Sequence, residues 1–145
     1  MLNPSRYRII TIGKTRKSWI KDGISIYKKR LPNLSILEIK SSNIYKEANA
    51  IRSSTKDDEL LIALSEEGES LDSLAFANRL QKLGSQRLAF IIGGADGLSP
   101  EIKAISHFCF SLSPLTFTHE MAKLLLLEQL YRASTIAKGS PYHRQ

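Results

Sequence analysis

Five short apolar runs, each followed by a segment of helical character, set the strongest limit on what this chain can fold into. Tyr7 to Ile12, Leu34 to Ile39, Leu60 to Leu64, Arg87 to Ile92 and Phe108 to Leu112 are rich in β-branched, leucyl and aromatic side chains, as short buried strands require. Trp19 to Leu31 carries Trp19, Ile20, Ile24, Tyr27 and Leu31 near helical spacing, and Pro32 closes it. Ile44 to Lys56 reads as a more polar helix. Ser70 is the expected cap of a third helix bearing Leu71, Leu74, Ala75, Asn78 and Leu80, which Gly84 ends. Strands that alternate with helices over short connections predict an α/β fold, a mainly parallel sheet flanked by helices with right-handed crossovers. Strand order is not written in periodicity.

With 145 residues, one domain spanning 1–145 is expected. No apolar run approaches the ~20 residues of a membrane span, and MLNPSRYRII has no apolar signal core, so a cytoplasmic protein with no membrane partner is expected. The single cysteine, Cys109, lies in the apolar stretch HFCFSL and reads as a small buried thiol; one cysteine excludes an internal disulfide and a cysteine-based zinc site. No HExxH or His/Cys cluster occurs, so no metal is expected. Charge is unevenly placed. Residues 1–46 hold eleven basic and two acidic residues, 47–101 five and ten, and 102–145 five and two. This polarity favours a polyanion at one face, nucleic acid ahead of membrane, although a merely solvated basic surface fits the charge alone.

The last third narrows the chemistry. Arg87 to Ile92 empties into Gly93-Gly94-Ala95-Asp96-Gly97, and a helix start follows: Ser99 as N-cap, Pro100 at the first helical position, Glu101 at the positive end of the dipole. Phe108 to Leu112 runs into Ser113-Pro114-Leu115-Thr116 and then a long helix, about His119 to Lys138. Two strand-to-helix loops built for close backbone approach suit a small-ligand cleft at the carboxyl edge of a parallel sheet. GGADG is neither GxGxxG nor a P-loop, and no GxSxG elbow occurs, so dinucleotide binding, phosphoryl transfer and acyl transfer lack their signatures. In the long helix, Met121, Ala122, Leu124 to Leu127, Leu130, Tyr131 and Ala133 cover more than one ~100° stripe. Its second apolar face predicts a homodimer, the alternative being a helix wholly buried within one monomer. His119 reads as a base or a helix-end hydrogen-bond partner, and Glu128 and Arg132 as an i, i+4 pair. Gly139 and Pro141 turn the chain after that helix, which gives weight to the terminal cluster Tyr142-His143-Arg144-Gln145.

The run Ile91-Ile92-Gly93-Gly94 with Gly97-Leu98-Ser99-Pro100, then Ser111-Leu112-Ser113 with Leu115-Thr116, then His119, Glu128 with Leu130-Tyr131-Arg132-Ala133, and Pro141-Tyr142-His143-Arg144 closely resembles the ribosomal RNA large subunit methyltransferase H family of SPOUT-class methyltransferases. Ile10 to Lys14 and Tyr27 to Leu31 match its opening, so the resemblance covers essentially the whole chain. Three places depart from the family pattern. Ala95-Asp96 stands where Pro-Glu is common, Ser140 where histidine often precedes the last proline, and Phe117-Thr118-His119-Glu120 where a hydrophobic residue is followed by Pro-His-Pro.

The resemblance implies methyl transfer from S-adenosylmethionine to N3 of a pseudouridine in 23S ribosomal RNA, on the assembled ribosome. It further implies a homodimer and a C-terminal trefoil knot whose loops bind the cofactor. Carried over by motif, the cofactor contacts are Leu64, Gly93, Leu112, Ser113, Pro114, Leu115, Thr116 and Phe117. The candidates for catalysis are Tyr142, His143 and Arg144, supported by Arg132, for an imide N3 is mostly protonated at neutral pH and needs a base or a stabiliser of its anion. The alternative is a catalytically silent RNA-binding or ribosome-associated α/β protein. That reading fits the charge equally well and leaves both loops unexplained.

Overall fold

The computed structural model describes residues 2–144. After a 3-10 turn at Pro4–Arg6, the elements are β1 (Tyr7–Ile12), α1 (Ser18–Arg30), β2 (Ser35–Ile39), α2 (Ile44–Ser54), β3 (Glu59–Ser70), α3 (Ser73–Leu83), β4 (Arg87–Ile92), α4 (Pro100–Ile105), β5 (Phe108–Ser111) and α5 (His119–Ala137). All five strands pair in parallel, in the order β2-β1-β4-β3-β5.

Alternation along the strands builds two apolar layers. Ile9, Leu88, Phe90 and Ile62 point to one face, where they meet Ile20 and Ile24 of α1, Phe76 and Leu80 of α3, and Leu126, Leu127 and Leu130 of α5. Ile10, Ala89, Ile91, Leu61 and Ala63 point to the other, against Ala48 and Ile51 of α2 and Ile102 of α4. Helices therefore cover both faces, as a parallel sheet demands.

Three local readings change. β3 does not stop at Leu64: after Leu64 pairs with Phe110, the chain bulges through Ser65 to Gly68 and returns to pair Glu69 with Phe110 and Ser70 with Ser111. A Cβ at Gly68 would lie 2.7 Å from the Phe110 backbone, so only glycine lets the returning strand sit there. Because Ser70 is still strand, α3 is capped by Asp72, whose carboxylate accepts from the Ala75 amide at 2.8 Å. The buried face of α3 is Phe76, Ala77 and Leu80, with Phe76 stacked on Phe110 at 4.8 Å; Leu74 lies at its edge, 38% exposed. Trp19, expected on the buried stripe of α1, is 58% exposed; Ile20 and Ile24 carry that contact, with Tyr27 half-buried against the same core and Leu31 buried just beyond the helix. Cys109 is half-buried, its thiol 3.8 Å from the Lys103 carbonyl oxygen.

Candidate active site

The carboxyl ends of the neighbouring strands β4, β3 and β5 frame a cavity of about 310 Å³. Leu64, at the bulge inside β3, and Gly93, Leu112, Ser113, Leu115 and Phe117, which follow β4 and β5, line it; Pro114 and Thr116 belong to the same loop but are exposed outside the lining. The first loop is fixed by tight backbone packing. A Cβ on Gly93 would lie 2.6 Å from the Gly97 carbonyl carbon, and Gly97 itself adopts φ +73°. The second loop is fixed by serines. Ser111 Oγ donates to the Ser113 carbonyl at 2.7 Å, and Ser113 Oγ accepts from the Leu115 amide at 3.1 Å.

Sequence reasoning missed part of this lining. Glu66 and Glu67 enter from the β3 bulge, and Asp96, Lys103 and His119 complete the wall. Lys103 Nζ stands 3.5 Å from Glu67. Leu64, Ile92, Leu112 and Phe117 offer an apolar surface for a flat ring, and Glu66, Glu67 and Asp96, with Glu67 paired to Lys103, leave a net negative rim suited to a ligand that carries positive charge. The bulge was not legible because SEEGES has the composition of a solvated turn.

The carboxyl end of α5 holds a second constellation. Arg132 donates to Glu128 at 2.7 Å, and the Tyr142 hydroxyl donates to the same carboxylate oxygen at 2.7 Å. Arg132 also lies over the Tyr142 ring at 4.9 Å and meets His143 Nδ1 at 3.0 Å. Tyr142 packs edge-on against Tyr131 at 4.8 Å, and Arg30 covers the Tyr131 ring at 5.2 Å. Burial alone would raise the Glu128 carboxyl, but the hydrogen bonds from Arg132 and Tyr142 outweigh it and hold the group below the usual carboxylate range. Burial, then the bond to Glu128, pushes the Tyr142 phenol well above its ordinary value. The expected Glu128–Arg132 pair is thus the centre of a network that gathers Tyr142 and His143. Arg144 is exposed at its margin, and Gln145 lies outside the described residues.

A guanidinium has donors and no acceptor, so His143 Nδ1 accepts from Arg132 and the ring proton sits on Nε2. Among the described residues that Nε2 is buried without a hydrogen-bond partner. The pocket and this cluster are not joined within one chain. Ala122 lines the pocket and Arg132 lies ten residues farther along α5, roughly 15 Å at helical rise.

The first turn of α5 meets the basic loop after β1. Glu120 accepts from the Arg16 and Lys17 amides at 2.8 and 3.1 Å, bonds that hold its carboxyl below the usual range. His119 packs on Gly13, where an added Cβ would lie 3.3 Å from its ring; Nδ1 of His119 has no partner among the described residues. One turn on, Lys123 is 1% exposed and reaches Thr15 Oγ1 and, at 3.2 Å, Glu38. Among the described residues no group of three or more His, Cys, Asp or Glu side chains is placed to hold a metal, and no helix is long and apolar enough to cross a membrane.

The family model described as "Predicted SPOUT methyltransferase" matches residues 5–143. The chain belongs to the SPOUT methyltransferase family. This SPOUT methyltransferase is 65% identical over 144 residues, 99% of each chain, to the ribosomal RNA large subunit methyltransferase H of Prochlorococcus marinus (strain MIT 9211). It is 60% identical over 143 residues, again 99% of each chain, to the protein of that name from Synechococcus sp. (strain CC9311). In fold it is similar to a probable methylase family protein of Haemophilus influenzae, with a TM-score of 0.63 at 13% identity over 98% of this chain and 72% of that one. A probable methyltransferase from Bordetella pertussis gives 0.63 at 14% identity, over 90% of this chain and 95% of that one. The SpoU methyltransferase AviRb of Streptomyces viridochromogenes, solved in complex with the cofactor AdoMet, gives 0.51 at 15% identity over 88% and 57%. The five-stranded parallel sheet flanked by helices is thus of SPOUT type. The C-terminal knot is implied by that kinship and is not read from strand order.

Proposed function

We propose that this chain methylates N3 of a pseudouridine in the 23S RNA of the large ribosomal subunit, with S-adenosylmethionine as donor, in the cytoplasm and as a homodimer. The observation that carries the reading is the cavity at the ends of β3, β4 and β5. Its apolar wall suits an adenine ring, and Glu66, Glu67 and Asp96 suit the ammonium and sulfonium charges. Its volume of about 310 Å³ is at the lower end of the range for small-molecule sites. Leu64, Gly93 and the segment Leu112 to Phe117 would hold it through backbone groups and apolar contact. When bound, the cofactor supplies an already activated methyl group, so no metal or covalent enzyme intermediate is needed.

The chain's own task is to align the base and stabilise the imidate that forms as the N3 proton passes to water. The terminal cluster suits this task as a set of donors. Arg132 is cationic, its protonated form favoured chiefly by the bond to Glu128, and His143 carries an Nε2–H with no partner among the described residues; Tyr142 stays a neutral phenol whose one O–H is given to Glu128, so it positions that carboxylate and is not a free donor. Such a cluster stabilises an imidate oxygen better than it removes a proton. Its ~15 Å separation from the pocket is closed if the partner protomer supplies it, and the half-buried apolar residues Met121, Ala122 and Leu125 on α5 are suited to that contact. A chain cut after Pro141 should bind S-adenosylmethionine by calorimetry yet transfer no methyl to large subunits. A truncated enzyme of normal rate would overturn the role given to the cluster.

A further inference from the structure

A groove separate from the cofactor cavity runs between α1, β2 and the loop after β1, with a volume of about 750 Å³. Its walls carry Lys14, Lys21, Lys28 and Lys29, and Lys123 enters from α5; the one carboxylate in the lining is Glu38. That carboxylate is already engaged by Lys123 and by the Thr15 amide at 3.1 Å. Among the described residues, none of the four wall lysines takes part in an ion pair. The groove therefore keeps a net excess of four positive charges over an apolar strip from Ile24 and Ile36.

We infer that this groove is the site that grips backbone phosphates of the RNA substrate, an inference that rests on the proposed action on RNA. Three observations support it. Lys21, Ser25, Lys28 and Lys29 fall on one face of α1, and Lys21 to Lys28 spans roughly 10 Å of helix, long enough to meet successive phosphates of one strand. Lys123 closes the end nearest the pocket, and His119, one turn earlier on α5, lines the pocket itself. A strand anchored in the groove thus enters beside the cavity where the methyl donor would sit. A second copy of this chain is a poor occupant, because a two-fold contact would set lysines against lysines.

The test is the salt dependence of binding to large ribosomal subunits from cells that lack the modification. The pair Lys28→Gln/Lys29→Gln is compared with Lys46→Gln/Lys56→Gln, which removes the same charge from α2 and its end on the opposite face. Removing two phosphate contacts should make the slope of log K against log salt shallower by about 1.5 in the first pair. The control pair should stay near wild type, and cofactor binding by calorimetry should be unchanged in both. Equal slopes in the two pairs would overturn the assignment. So would a change of molecular mass by light scattering in the first pair, which would make the groove a contact between copies. Failure of the wild-type chain to bind subunits would instead remove the RNA reading beneath it.

Discussion

Single atoms decide the shape of the pocket at Gly93 and the returning strand at Gly68. Both place a would-be Cβ within 2.7 Å of backbone, which cannot swing aside as a side chain would. Gly93→Ala should destabilise the fold by about 1–3 kcal/mol, read as a lower urea midpoint with unchanged m, and weaken cofactor binding as well. A wild-type midpoint would mean that the turn relaxes freely. Buried tyrosines give a second check. Burial pushes Tyr7 up to about 12. A raised folded value means that its contribution to stability is complete below pH ~10 and is lost as pH rises towards 12. Tyr7→Phe should flatten that alkaline loss in denaturation curves taken between pH 9 and 12. Glu128 has the opposite sign. Its lowered carboxyl contributes stability above pH ~4.3 that is lost as pH falls through its folded value, so Glu128→Gln should remove part of the acid sensitivity.

Among the elements, α5 does the most, and it was only half legible. Its apolar excess and its start after Thr118 follow from the residues, and the observed N-cap is Thr118, accepting from the Met121 amide at 3.2 Å. What a helical wheel does not reveal is that Lys123 is buried, because lysine in an apolar helix normally marks the solvent side. Its partners Thr15 and Glu38 lie 108 and 85 residues away in sequence, beyond any local pattern. The pair should be asymmetric. Glu38→Gln strands a nearly fully buried ammonium and should cost about 1–3 kcal/mol, whereas Lys123→Met leaves a half-exposed carboxylate in water and should change stability by less than about 1 kcal/mol. Chemical denaturation of the two variants decides this. β1 and β4 were legible to the residue, since a central parallel strand reads as a near-continuous apolar run, broken here only by Arg8, Thr11 and Arg87. The end of β3 was not, for its polar half is held by backbone approach at Gly68 and not by side-chain pattern. The cap of α3 was misplaced for the same reason. Glu120 stands where proline is common in the family and ties Arg16 and Lys17 to the loop that frames the pocket. Glu120→Gln should speed hydrogen exchange at those two amides, and unchanged exchange would show that the tie is idle.

The whole molecule carries an acidic-rimmed pocket, a lysine-lined groove and a terminal donor cluster, which one protomer holds apart. If partners complete each other's sites, mixing a chain cut after Pro141 with a Gly93→Ala chain should restore activity that each lacks alone, up to the fraction of mixed dimers. No recovery would place pocket and cluster at work in the same chain. The two strand-end loops lie in contiguous stretches of sequence, which is why their place beside the pocket could be anticipated; their distance from the terminal residues could not, because it is set by the length of α5. Transfer of labelled methyl from S-adenosylmethionine to large subunits lacking the modification, with free 23S RNA alongside, tests the central claim most directly. The account predicts label on N3 of a pseudouridine in the subunit sample. No transfer to either RNA, together with no calorimetric binding of the cofactor, would contradict it and leave a silent RNA-binding protein in its place.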